Sequence, residues 1–258
     1  MGMKNRVALV TGAGRGIGRA SALALAKEGA RVAVTARTAS ELDSLVQEIR
    51  SAGGQTMSIT ADLSDRAAPP AVLQKVKEAW GPVEILVNNA GIGSSADPRP
   101  LVEYDDAFWD LTFAINVTAP YLFTKLALPS MIERRWGRVI NIASINAKMA
   151  SLHSAAYTAS KHALAGMTKV AALEVAPYGV TVNAVCPGVV RSRMNDKRLE
   201  YDSKRLGVPF KQLEAEASPV GRRLEPDEIA PLVVFLASDA SRAVNGQTIN
   251  ICGGRLMV

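Results

Sequence analysis

The stretch Thr11-Gly12-Ala13-Gly14-Arg15-Gly16-Ile17-Gly18 sets four glycines at alternate positions between a short apolar run, Arg6–Thr11, and a helical pattern, Ile17–Glu28. Glycine lets a backbone turn sharply and approach a ligand closely. The helix that follows presents unpaired N–H groups and the positive end of its dipole, which suit a pyrophosphate. The spacing is not G-x-G-x-x-G in either frame, because Ile17 and Arg19 stand where the third glycine would fall. It is Thr-Gly-x-x-x-Gly-x-Gly. Taken alone, such a turn can also be a tight strand–helix connection and nothing more.

Outward from this loop, short apolar runs alternate with helical patterns. The spacing predicts strands at Arg6–Thr11, Arg31–Ala36, Gln55–Thr60, Ile85–Asn88, Gly137–Ala143, Thr181–Val185 and Gln247–Ile251. Most are rich in Val and Ile and nearly continuous in apolar character, as strands buried on both faces are. Helices are predicted at Ile17–Glu28, Ser40–Ala52, Pro70–Trp80, Asp105–Asn116, Thr118–Arg134, Tyr157–Ala176 and Pro226–Ala237. The last opens with Glu225-Pro226-Asp227-Glu228, a proline and acids in a first turn. This alternation implies an α/β fold: one doubly wound Rossmann-type domain over residues 1–258, with a seven-stranded parallel sheet flanked by helices. The charged stretch Arg191–Pro219 interrupts the pattern and reads as a substrate lid at about residues 190–220.

Composition excludes several classes. The chain has 258 residues, 48% of them hydrophobic and 21% charged, as in ordinary globular proteins. No stretch reads as the roughly 20 apolar residues of a membrane helix. The opening Met1-Gly2-Met3-Lys4-Asn5-Arg6 lacks a signal-peptide pattern. Two cysteines, Cys186 and Cys252, make neither a disulfide framework nor a metal site, so no metal and a cytoplasmic location are expected. The net charge is +6, but the basic residues are scattered, with no run of five, so nucleic acid is not an expected partner.

Two further features carry chemistry. The second strand ends at Val34-Thr35-Ala36-Arg37, where an NAD enzyme would place an acid for the ribose 2′-hydroxyl. No acid lies between Glu28 and Glu41. Arg37 and Arg15 suit a 2′-phosphate instead, so NADP(H) is expected over NAD(H). Tyr157 and Lys161 lie four apart on a predicted helix and therefore share a face. A nearby ammonium stabilises a phenolate, so the Tyr157 pKa is expected to fall toward the working pH, as a general acid/base requires.

With the glycine loop, Asn88-Asn89-Ala90-Gly91, Asn116, Ser144, Tyr157, Lys161 and Pro187-Gly188 in this order, the chain resembles the short-chain dehydrogenase/reductases over essentially its whole length. The resemblance implies Tyr157 as catalytic acid/base and Lys161 as the residue that lowers its pKa and holds the nicotinamide ribose. It implies Ser144 as a donor to the substrate oxygen and Asn116 as the anchor of a water in a proton relay. It places Gly12, Gly14, Arg15, Gly16, Ile17 and Gly18 at the cofactor phosphates. Asp62, with Leu63 beside it, would meet the adenine. Asn88, Ala90 and Gly91 would lie along the adenosine ribose, and Pro187, Gly188, Val189 and Ser192 near the nicotinamide. Asn146, His153 and Met194 are expected to line the substrate cleft. His162 should point to another helix face.

Within the family, Arg134-Arg135-Trp136-Gly137-Arg138, Phe235-Leu236-Ala237-Ser238-Asp239 and the Gly253-Gly254-Arg255-Leu256-Met257-Val258 ending resemble 3-oxoacyl-acyl-carrier-protein reductases. That likeness implies that Arg135 docks an acidic carrier protein. A second docking arginine of those enzymes is matched by Tyr178, and the lid is longer, as in hydroxybutyrate dehydrogenases and small-ketone reductases. A carbonyl reductase acting on small ketones and alcohols is therefore expected, with a 3-oxoacyl-thioester reductase as the alternative. A non-catalytic NADP sensor is a remote third reading, since Tyr157 and Lys161 are both present. The family resemblance also implies a homotetramer.

Overall fold

The computed structural model describes residues 3–258. Met1 and Gly2, which open the N-terminal stretch discussed above, lie outside the described residues. Seven parallel strands form one sheet in the order β3-β2-β1-β4-β5-β6-β7. They are β1 (Val7–Thr11), β2 (Arg31–Ala36), β3 (Gln55–Thr60), β4 (Ile85–Asn88), β5 (Gly137–Ile142), β6 (Val180–Pro187) and β7 (Thr248–Ile251). The order reverses between β1 and β4, and in such sheets ligands bind beyond the carboxyl ends of the strands at that crevice.

Alternation along each strand builds two cores. Ala8 and Val10 of β1, Val32 and Val34 of β2 and Val185 of β6 face one layer. Helices α1 (Gly16–Lys27), α2 (Ala39–Ser51) and α9 (Pro226–Ala237) cover it. Val7 and Leu9, Ala33, Val139 and Val182 face the other. There α3 (Ala68–Trp80), α5 (Ala119–Glu133) and α6 (Ala155–Val175) pack. The period of two in the side chains, with both faces covered, explains why the strands read as continuous apolar runs.

Two readings from the sequence need correction. Asp105–Asn116 and Thr118–Arg134 are not separate helices. α4 (Asp106–Phe113) continues through a π turn at Ala114–Thr118 into α5. The resulting helix, Asp106–Glu133, is long and apolar enough by length and composition to cross a membrane. Its apolarity has a local cause: Ile115, Ala119, Phe123, Ala127 and Met131 are buried in the protein. The lid, for which the sequence pattern predicts no element, is also helical. It holds α7 (Arg193–Leu206) and the short α8 (Phe210–Ala215). Ser192 caps α7, its hydroxyl accepting from Asn195 N at 3.3 Å, and Gly207 ends the helix in the left-handed conformation.

Candidate active site

The glycine loop turns where left-handed backbone is required: φ is +64° at Gly12 and +57° at Gly16. A Cβ on Gly12 would lie 2.7 Å from Ala90 Cα, so the β1 and β4 loops touch backbone to backbone. A Cβ on Gly16 would meet nothing within 4 Å. The space lies over the first turn of α1, which has no side-chain cap and no acidic residue. Open room above uncommitted N–H donors fits a cofactor diphosphate.

Asn89 braces this loop, a role the sequence reading did not assign. Its Nδ2 donates to Thr11 O at 2.8 Å and Gly12 O at 3.0 Å. Thr11 Oγ1 in turn accepts from the backbone N–H groups of Asn89 and Ala90, both at 3.0 Å. The doubled Asn88-Asn89 was the available signal. Asn88 itself behaves differently from expectation. It is buried, and its Nδ2 donates to Asn141 Oδ1 at 2.9 Å and Thr124 Oγ1 at 3.2 Å. Its side chain joins β4 to β5 and α5, leaving only its main chain for the groove. Leu63 likewise has its side chain in the core.

At the far end of the groove, Arg37 is exposed just past β2. Asp62 lies near it. Its carboxylate accepts from Ser64 N and Ser64 Oγ, at 3.0 and 2.9 Å. The Ser64 N–H, then its hydroxyl, and lastly the Arg37 charge hold Asp62 below the usual carboxylate range. Arg15 is not free. Its Nη1 lies 3.2 Å from Glu41 Oε1, which also lies 3.5 Å from Arg193 Nη1 of the lid.

Beyond β5 and β6 the four expected catalytic side chains come together. Ser144 follows β5; its hydroxyl accepts from Asn146 N at 3.1 Å, and it lines the same cavity as Tyr157. Lys161 Nζ donates to Ile142 O at 2.9 Å and lies 5.6 Å from the Tyr157 ring centroid. Asn116, on the π turn, is fully buried. Its Oδ1 accepts from Ile92 N at 2.9 Å, and its Nδ2 donates to Ile92 O and Ser160 Oγ, both at 3.0 Å. The side chain is thus engaged, and a relay contact would fall to the main chain that the π turn displaces. Gly91 permits the approach: a Cβ there would lie 3.2 Å from Asn116 Oδ1 and 3.7 Å from Lys161 Nζ.

The electrostatics correct the expected Tyr157 shift. Burial raises the Tyr157 pKa, and the nearby Ser144 hydroxyl only partly offsets it. Burial lowers Lys161 to about 8. Desolvation disfavours both charged forms and is the largest cause of each shift.

A cavity of about 450 Å³ opens from Ser144 and Tyr157. Asn146, Gly188, Val189 and Met194 line it, with Met149 and Leu199. His153 does not line it. Its backbone is left-handed, φ +55°, and its Nδ1 lies 2.5 Å from the Tyr201 hydroxyl of the lid. Arg198 of α7 holds the same edge, donating to Leu152 O at 2.9 Å and Ser94 Oγ at 3.3 Å. The ring of His162 turns back to Thr158 O on its own helix. Pro187 ends β6, and a Cβ on Gly188 would lie 2.9 Å from Cys252 Cα. Among the described residues no cluster suited to a metal ion occurs.

A glycine cradle at the sheet's crevice, leading to a serine–tyrosine–lysine cluster, has a counterpart among known proteins. A family model described as short chain dehydrogenase matches residues 6–202. The chain belongs to the short-chain dehydrogenase family. It is 39% identical to a D-beta-hydroxybutyrate dehydrogenase of Cupriavidus necator over 98% of each chain. It is 36% identical to a 3-oxoacyl-[acyl-carrier-protein] reductase of Thermotoga maritima, over 98% of this chain and 99% of that one. A crystal structure of an actinorhodin polyketide ketoreductase with NADPH superposes with a TM-score of 0.89 at 39% identity, over 96% of each chain. As a short-chain dehydrogenase, the protein is an oxidoreductase of a family that uses a nicotinamide cofactor and acts on hydroxyl and ketone groups.

Proposed function

We propose that this short-chain dehydrogenase is an NADP(H)-dependent carbonyl reductase that interconverts a ketone and a secondary alcohol. The carrying observation is the meeting of the Ser144 and Tyr157 hydroxyls at the inner end of the cavity, with Lys161 buried behind them. The nicotinamide supplies the hydride for the carbonyl carbon. Ser144 and Tyr157 donate to the carbonyl oxygen as charge develops there. Tyr157 then passes its proton to that oxygen, and Lys161 stabilises the phenolate left behind. The uncapped first turn of α1, with the glycine loop, would hold the diphosphate. Arg37 and Arg15 would hold the 2′-phosphate, Arg15 after exchanging Glu41 for it. Asp62 would meet the adenine. Ser192 and the Pro187-Gly188-Val189 turn would border the nicotinamide.

Met149, Met194, Val189 and Leu199 give the cavity an apolar wall, which suits a ketone with an alkyl or acyl arm. A second reading, a 3-oxoacyl-thioester reductase, draws support from the carrier-protein reductase relative. Arg135, the expected docking residue, stands before the first residue of β5 and donates to Pro177 O at 2.9 Å. Ser144 follows the other end of that strand, about 20 Å away. A carrier bound at Arg135 would therefore approach this chain's own site from the wrong end, which favours free ketones. The exposed Leu126, Val170 and Leu173 on α5 and α6 support a homotetramer built on these helices, and two free buried thiols suit a cytoplasmic setting.

NADPH oxidation measured across acetoacetyl thioesters, diketones, cyclic ketones and sugars tests the reading. Turnover of free ketones is expected. Activity confined to thioesters would transfer the proposal to the second reading, and no activity with any carbonyl would defeat both.

A further inference from the structure

The lid holds the outer wall of the cavity, yet little apolar packing holds the lid. Leu199 is the one buried residue of α7, and α8 has none. A segment so poor in buried apolar contacts needs polar ties to keep its place. Besides the ties of Arg198, Tyr201 and Arg193 described above, α7 and α8 share one partner, Arg223, which lies outside both lid helices and is only 3% exposed. Its Nη1 lies 2.5 Å from Asp196 Oδ1 of α7. Its Nε and Nη2 donate to Glu214 Oε1 of α8, at 2.9 and 2.7 Å. Its guanidinium also lies 5.5 Å from the ring centroid of Phe210, the first residue of α8.

The neck of the lid fixes Arg223 in turn. Leu224 N donates to Val189 O at 2.9 Å, and Arg191 N donates to Leu224 O at 2.8 Å. These bonds join the residue after Arg223 to the turn that borders the cavity at Gly188 and Val189. Arg191 adds a tie of its own to Glu214, at 2.7 Å. A buried guanidinium that satisfies two carboxylates on two helices fixes their relative placement, because its fork has a rigid geometry.

We propose that Arg223 is a positioning residue for substrate: it clamps α7 and α8 together, and so sets Met194, Leu199 and Leu213 along the cavity wall. This rests on the carbonyl-reductase reading for its consequence, but not for the clamp itself. The test uses the full chain. In Arg223→Met, amide hydrogen exchange should accelerate across residues 193–215 and stay unchanged in the sheet. The KM for ethyl acetoacetate should rise about tenfold with kcat within about threefold. NADPH affinity by fluorescence quenching should be unchanged. Arg223→Lys, which keeps the charge, should recover much of the KM. Unchanged exchange in the lid would overturn the clamp. A matching loss of NADPH affinity and Tm would show a merely structural role and overturn the positioning. If the wild-type protein turned over no carbonyl, the reductase reading would fail, while the exchange measurement would still decide the clamp.

Discussion

Lys161 Nζ lies one helical turn from Tyr157, 5.6 Å from its ring centroid, and donates to Ile142 O. Both groups sit where water is scarce, so the lysine, lowered to about 8, titrates nearer the working pH than the raised tyrosine. The ammonium proposed to support a phenolate is therefore itself close to losing its proton.

A pH dependence follows. For carbonyl reduction, kcat/KM should hold steady below about pH 8 and fall above it as Lys161 deprotonates. A profile flat to pH 10 would remove Lys161 from the proton-transfer step. Stability has the opposite sign. Because the folded pKa is depressed from 10.5 to about 8, the unfolded chain binds more protons between those values, and stability should rise with pH through that window. Below it, burying the charge costs about 3 kcal/mol. Lys161→Met should abolish turnover, yet raise the stability of the unliganded protein at pH 7 by about 1–3 kcal/mol in urea unfolding.

The proposed preference for NADP(H) rests on Arg37, an exposed residue just past β2. Arg37→Asp should shift the NADPH/NADH ratio of kcat/KM toward NADH by about tenfold or more, the effect of one charge-assisted phosphate contact. An unchanged ratio would take Arg37 out of the 2′-phosphate site.

Asn89 tests whether the glycine loop needs its brace. Asn89→Ala removes the donors to Thr11 O and Gly12 O. At about 1 kcal/mol for each of the two lost bonds, NADPH binding should weaken by up to about thirtyfold in a quench titration. An unaltered dissociation constant would mean that the loop holds its shape without Asn89.

How much of this could be read from the chain differs by layer. Most strands were legible because Val- and Ile-rich runs buried on both faces leave an unbroken apolar signal; β2 and β4, and also the half-exposed edge strand β3, begin and end at the expected residues. The glycine loop was legible because Gly12 and Gly16 need a backbone that other residues avoid. The lid was not. The stretch Arg193–Leu206 buries one leucine, so no apolar stripe marked α7, and charge alone suggested an interruption. The inward turn of the Asn88 side chain was not legible, because a strand's last residue can face the groove or the core, and only packing decides. The Tyr157 shift was misjudged because helix spacing reveals a charged neighbour but not the loss of water around both groups. The Glu41 partner of Arg15 joins helices 26 residues apart, a contact no local pattern announces.

The most direct test of the central claim is single-turnover reduction by Tyr157→Phe, followed alongside NADPH binding. The substitution removes one hydroxyl and leaves the glycine loop, Arg37 and Lys161 in place. The account predicts that NADPH binds as in the wild type and that hydride transfer to a ketone falls by about 10³-fold or more. Hydride transfer at the wild-type rate would contradict it.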